Sequence, residues 1–279
     1  IVVRLVGSEM CIRDRVAFDD EELNLTPFEQ QFDENRAFFT EGASLFEKAD
    51  IGFRAGNFFY SRRIGQKLNF NENDYLLDNE ELLMYDKKPK LINSVKVTGT
   101  TDKKLSIGII NTITDNAYAY FKNNVTNLER KELLAPTTNY NVLSLTQEII
   151  NDVSSISVLN TNINRKNGLN GNNTALVADI FDNKRKYNIQ SAIYGSYAPR
   201  FSEKNGFKGY ISAEELEGNF QFFLHWTGVD KYYNQNELGY FILHNSQRVG
   251  GRVSYRILKD NKLFRTLSSS LYVGTVSYT

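Results

Sequence analysis

From residue 91 onward, apolar and polar side chains take turns along the chain. In "KLSIGIINTIT", Leu105, Ile107, Ile109 and Ile113 share one parity, and Lys104, Ser106, Gly108 and Thr112 the other. Phe220, Phe222, Leu224 and Trp226 alternate with Gln221, Phe223, His225 and Thr227. Val253, Tyr255 and Ile257 alternate with Arg252, Ser254 and Arg256. Period two is the signature of β-strands with unlike faces. Turn-forming clusters separate the runs: 100–104, 165–173, 181–186, 202–206 and 258–262. The pattern predicts about twelve strands, near 91–100, 104–114, 116–122, 137–147, 153–162, 173–181, 185–197, 206–213, 217–227, 238–244, 248–258 and 262–274. Many are about ten residues long. Globular strands average about five or six residues, whereas membrane-barrel strands need about nine to eleven.

The totals exclude several classes. With 33 basic and 33 acidic residues the net charge is zero, so no electrostatic case for nucleic acid arises. No apolar run of 18 residues exists, which excludes a transmembrane helix but not a barrel, whose apolar surface lies in every second residue. The 16 Tyr and 19 Phe favour strands. Tyr187, Tyr194 and Tyr197 fall near strand ends, where an interfacial girdle would sit. Alternation alone leaves a soluble β-structure and a membrane barrel both open; the Ser, Thr, Asn and Gln of the polar parity favour a wet lumen.

Both ends read as foreign. "IVVRLVGSEMCIRDR" (1–15) resembles translated sequencing-adapter read-through, and "VSYT" (276–279) the start of another. A genuine N-terminal strand is the alternative for the first. The only cysteine, Cys11, lies in that segment, so the remainder has no disulfide, thiolate catalyst or cysteine zinc site. With His225 and His244 the only histidines, no metal and no cofactor are expected. The expected division is 1–15 non-native, 16–90 an N-terminal plug or lead-in, 91–275 barrel strands, and 276–279 non-native.

Within 16–90, Thr26, Pro27 and Glu29 form a helix-start pattern of cap, first-turn proline and capping acid. "FFTEGASLF" predicts a second turn or short helix ending near 49–50, and "NEELLMYDKK" a helical turn. "FFYSRRIG" (58–65), read as extended, would put Arg62 and Arg63 on opposite faces. Asp19, Asp20, Glu21, Glu22, Glu34 and Glu41 could supply a carboxylate pair for glycoside hydrolysis, but sequence does not give the separation that decides such chemistry.

"LNLTPFEQQFDENRAFFTEGASLF" (23–46) followed by "FFYSRRIG" resembles the family labelled domain of unknown function 5916, as do "VKVTGTT" (95–101), "LSIGIINTITD" (105–115), "TNYNVLSL" (138–145) and "NELGY" (236–240). Gln30 and Gln31 depart from its pattern, where a second aromatic is common, and so does Ala37, where proline is usual. The resemblance implies an outer-membrane β-barrel of a diderm bacterium, downstream of a region similar to a family 9 carbohydrate-binding module. The expected fold is therefore all-β: an antiparallel up-and-down transmembrane β-barrel, present as an incomplete fragment that leaves an open edge, with a short, partly helical N-terminal plug or lead-in. Its partner is the lipid bilayer of the outer membrane, and a glycan ligand is expected only through the upstream domain. The expected function is passage or handling of glycan-like or other envelope substrates, with no catalytic residues. The alternatives are a soluble periplasmic carbohydrate-binding or glycoside-hydrolase-like β-domain, and an assembly platform. Glu34, Arg36, Glu41, Arg62 and Arg63 form the candidate plug or lumen charge cluster, with acids pairing the arginines. Arg252, Arg256 and His225 are the candidate lumen-facing residues.

Overall fold

The structure is a computed structural model that describes residues 4–6, 31, 33–52, 56–257 and 267–278. It is all-β with antiparallel sheets. The strands are β1 (Arg4–Val6), β2 (Glu80–Tyr85), β3 (Leu91–Thr100), β4 (Leu105–Thr114), β5 (Ala117–Asn123), β6 (Glu129–Ala135), β7 (Thr138–Glu148), β8 (Ser155–Arg165), β9 (Gly171–Phe181), β10 (Tyr187–Tyr197), β11 (Gly206–Glu215), β12 (Phe220–Val229), β13 (Ser246–Ile257) and β14 (Leu267–Tyr278). Eleven make one sheet in the order β1-β3-β4-β7-β8-β9-β10-β11-β12-β13-β14; β2, β5 and β6 make a second. From β7 to β14 each strand pairs with its chain neighbours, an up-and-down meander.

No closed barrel is found. Among the described strands the large sheet is open, because β14 finds no pairing partner beyond β13 and β3 is flanked by the three residues of β1. Two further expectations are corrected. The stretch 80–85, read as a helical turn, is β2, held against β5. The run 238–244, read as a strand, is a loop that touches strand geometry only where Asn57 bridges Tyr240. The Thr26 helix start and most of the 258–262 turn lie outside the described residues.

The connections differ at the two ends of the sheet. Residues 101–104, 149–154, 182–186 and 216–219 turn tightly at one end. At the other lie 115–137, which carries β5 and β6, together with 166–170, 198–205 and the long 230–245 segment.

The core lies on the polar parity. Against that face pack a four-residue helix, α1 (Ala37–Thr40), a 3-10 turn at Ala43–Leu45 and another at Ser61–Arg63. Phe38, Phe39, Phe46 and Ile64 cluster with Ile110, Val142, Ile163 and Leu238. Ala49 and Phe58 join Leu159, Ala175, Val177 and Tyr194. Phe46 reaches the sheet because Gly108 has no side chain; a Cβ there would lie 2.8 Å from the ring. Tyr194 belongs to this core and not to a girdle: it is fully buried. Tyr187 and Tyr197, at the two ends of β10, are exposed.

Gly108→Val is expected to displace Phe46 and cost about 1–3 kcal/mol, the usual range for overpacking. Gly195→Ala, where an added Cβ meets nothing within 4 Å, is expected to be neutral or stabilising by up to about 1 kcal/mol. Urea midpoints for the two variants check this.

Candidate functional site

An irregular segment lying on a sheet leaves its carbonyls without ladder partners, and each needs a donor. Side chains of the inward parity supply them. Lys96 donates to the carbonyls of Phe38, at 2.8 Å, and of Glu41, at the C-terminal end of α1. Ser144 donates to the Leu45 carbonyl at 2.5 Å, and Tyr194 to that of Ala49 at 2.8 Å. The isolated lysine in "VKV" is the sequence signal for this role.

Arg36 ties the segment together. Its guanidinium forks onto Glu34, Nε to Oε1 at 2.8 Å and a terminal nitrogen to Oε2 at 2.6 Å, a bidentate pair. The remaining donors reach the carbonyls of Ile64 (3.1 Å) and Ser61 (2.9 Å), and the Ser61 hydroxyl donates to Glu34. Arg36 is 6% exposed and lies over the Phe39 ring at 4.5 Å. Burial pushes the Glu34 carboxyl up, but the hydrogen bonds and charge of Arg36, with the Ser61 hydroxyl, outweigh it and leave it below the ordinary value.

The other predicted cluster residues are placed as follows. Arg62 donates to the Asp33 carbonyl and Arg63 to that of Gly239, at 3.1 Å. Both stand on a 3-10 turn, so the alternation of an extended chain does not apply to them. Glu41 meets Lys96 through its backbone oxygen. Asp19 through Glu22 lie outside the described residues.

The predicted lumen residues share one face. His225 and Arg252, with Glu214, Phe223, Arg248 and Tyr272, line a cavity of about 630 Å³ on the inward side of β11–β14. His225 Nε2 lies 3.2 Å from the Tyr272 hydroxyl. Arg256 stands on the same parity further along β13, exposed near the tight-turn end. Among the described residues no group of three metal-ligating side chains occurs.

Several residues escaped sequence reading. Glu237 is buried and accepts from Arg165 at 2.5 Å. Asp50 accepts from the Phe58 backbone N–H at 2.6 Å and from Asn57. Burial, reinforced by the charge of Glu47, pushes the Asp50 carboxyl up to about 7, against the opposing pull of the Phe58 N–H and Lys208. Nothing in the spacing of "KADIGF" points to this.

Replacing Arg36 by Ala takes the guanidinium from the buried Glu34 carboxylate and from the Ile64 and Ser61 carbonyls, leaving Glu34 only the Ser61 hydroxyl and the backbone N–H of residue 36, and the Ser61 carbonyl only the Ile64 N–H. The expected loss is about 3–5 kcal/mol, that of breaking one partner of a buried pair, with partial recovery in the Glu34→Ala/Arg36→Ala double variant; chemical denaturation of the set measures it. Asp50 binds its proton more tightly folded than unfolded, so its contribution to stability is full below about 3.8 and is lost as pH rises through about 7. Across that window the denaturation midpoint of wild type is expected to fall relative to that of Asp50→Asn. Parallel curves would contradict the assignment.

The family described as domain of unknown function (DUF5916) matches residues 14–278. No curated protein and no solved structure matches the chain significantly.

Proposed function

From the chain's membership of the DUF5916 family, which spans nearly its whole length, we propose that it is an arc of an outer-membrane β-barrel whose N-terminal segment plugs a polar lumen. The observation that carries this is the placement of charge. On β3, β4 and β7–β14, register and burial separate an inward and an outward parity. The Lys, Arg, Asp and Glu side chains of these strands point inward, among them Lys96, Arg165, Asp179, Lys208, Arg248 and Arg252. The exception is Glu215, at the tight-turn end of β11, where it pairs with Lys186 at 2.9 Å. The outward face instead exposes Ile193 (66%), Phe207 (58%), Leu224 (53%) and Leu271 (67%). A soluble sheet has the opposite dressing, apolar within and charged without. An apolar surface this continuous needs a non-aqueous partner.

The slant of the apolar band supports the same reading. One register row runs Ile107–Leu145–Val158–Leu176–Ile193 and is apolar, but continues as Gly209–Gly228–Gln247–Ser277. On β12–β14 the band lies nearer the tight turns, at Phe222–Val253–Leu271. The drift is roughly one residue per strand. With about 3.3 Å of rise against about 4.8 Å between strands, the band crosses the strands at a tilt of roughly 35°, within the range of about 35–45° for membrane barrels. The tight turns at one end and the longer loops at the other fit the asymmetry of such barrels.

In this reading β3–β10 enclose the plug, and His225, Arg248 and Arg252 line the unfilled part of the lumen. Passage or handling of polar envelope substrates would use that surface, with selectivity set by its charged groups.

Trp226 is the only tryptophan and faces outward. In reconstituted vesicles its fluorescence is expected to be quenched by brominated acyl chains and protected from aqueous iodide. Separately, the folded protein should run at a heat-modifiable mobility. Quenching by iodide alone, with extraction by urea or salt, would show a soluble β-domain.

A further inference from the structure

A cavity of about 650 Å³ opens at the loop end, between the N-terminal segment, the small sheet and the 166–170 and 198–205 connections. It is separate from the cavity on β11–β14. Its walls hold five cationic side chains, Arg63, Lys67, Arg165, Lys166 and Arg200, against a single carboxylate, Glu237. In a chain whose charges balance at 33 each, that is a strong local excess. Arg165 is neutralised by Glu237 and Arg63 donates to the Gly239 carbonyl. The side chains of Lys67, Lys166 and Arg200 make no hydrogen bond or ion pair among the described residues. Like charges gathered around one concavity repel each other and focus a positive potential into it, which an anionic occupant relieves.

One further feature narrows the occupant. Phe70, Tyr75 and Phe201 add apolar surface to the walls, giving the mixture of flat apolar faces and few directed polar groups found in small-molecule sites of about 300–1,000 Å³. We propose that this cavity binds an anionic saccharide, its acid groups on Lys67, Lys166 and Arg200 and a ring face against the aromatic wall. The proposal deepens the barrel reading and rests on it only for the side of the membrane on which the cavity opens.

The test is calorimetric titration of the full chain with trigalacturonate, with neutral maltotriose and with inorganic phosphate. Lys67→Ala/Arg200→Ala, at exposed positions whose side chains make no hydrogen bond or ion pair among the described residues, serves as the variant. Trigalacturonate is expected to bind at least about tenfold more tightly than either other probe. Its affinity should fall about tenfold in the variant and weaken as salt screens the charges. Equal binding of maltotriose, equal binding of phosphate, or unchanged affinity in the variant would each overturn the assignment. Heat-modifiable mobility scores the barrel separately, so either reading can fail while the other stands.

Discussion

A sheet that buries its polar face must be given something polar to bury against it. Here that is backbone. The segment from Glu34 to Ile64 crosses the inward side of β3–β10 with little regular structure, so its carbonyls form few ladder bonds. Lys96, Ser144 and Tyr194 rise from the strands to meet those carbonyls, and Arg36 meets two more from within the segment. Each unmet carbonyl would cost about 1–3 kcal/mol when buried, so these donors decide whether the segment can stay on the sheet. The aromatic clusters around Phe38, Phe46 and Phe58 then fill the space between the polar contacts.

Three of the stretches that carry the family resemblance turn out to be one knot. "FDENRAFF" supplies Glu34 and Arg36, and "SRRIG" supplies the Ser61 hydroxyl with the Ser61 and Ile64 carbonyls they hold. "NELGY" closes it from the far end of the chain. The Tyr60 N–H donates to the Leu238 carbonyl at 2.6 Å, Asn57 and Tyr240 exchange backbone bonds, and Arg63 takes the Gly239 carbonyl. Gly56 makes this approach possible, since a Cβ there would lie 2.0 Å from the Tyr240 oxygen. Guanidinium groups suit such a knot because their fixed fork of donors can serve a carboxylate and carbonyls together.

Sequence showed the long strands because period two survives wherever one face differs from the other. It failed where that contrast was weak. β2 and β6 sit in a half-exposed small sheet and are written "EELLMY" and "ERKELLA", compositions that suit a helix as well. The run around "GYFIL" looked like a strand because it is apolar, yet it is apolar because Leu238 and Phe241 tuck into the inward core as part of a loop. In "YSRRIG" the tertiary carbonyl contacts hold a 3-10 turn that local alternation does not encode. Of the site, Glu34 beside Arg36 was legible as a charge cluster. The pairing of Arg165 with Glu237 spans a sequence separation of 72 residues and has no local signal.

The inward face is therefore two surfaces in one. Along β3–β10 Lys96, Ser144 and Tyr194 hold the N-terminal segment, other polar side chains pair along the face, as Ser94 with Thr112 and Thr146 with Ser157, and what looked in the sequence like a wet lumen wall is packed. Along β11–β14 the same parity continues with Phe223, His225, Arg248, Arg252 and Tyr272 around open space. There Arg252 is exposed and Arg248 half-buried, while His225 Nδ1 and Thr227 Oγ1 are buried without a hydrogen-bond partner among the described residues. The outward face makes no such distinction and stays free of charge from β3 to β14 except at Glu215. That constancy outside, against a change of role inside, fits the proposed enclosing wall with a partly filled interior.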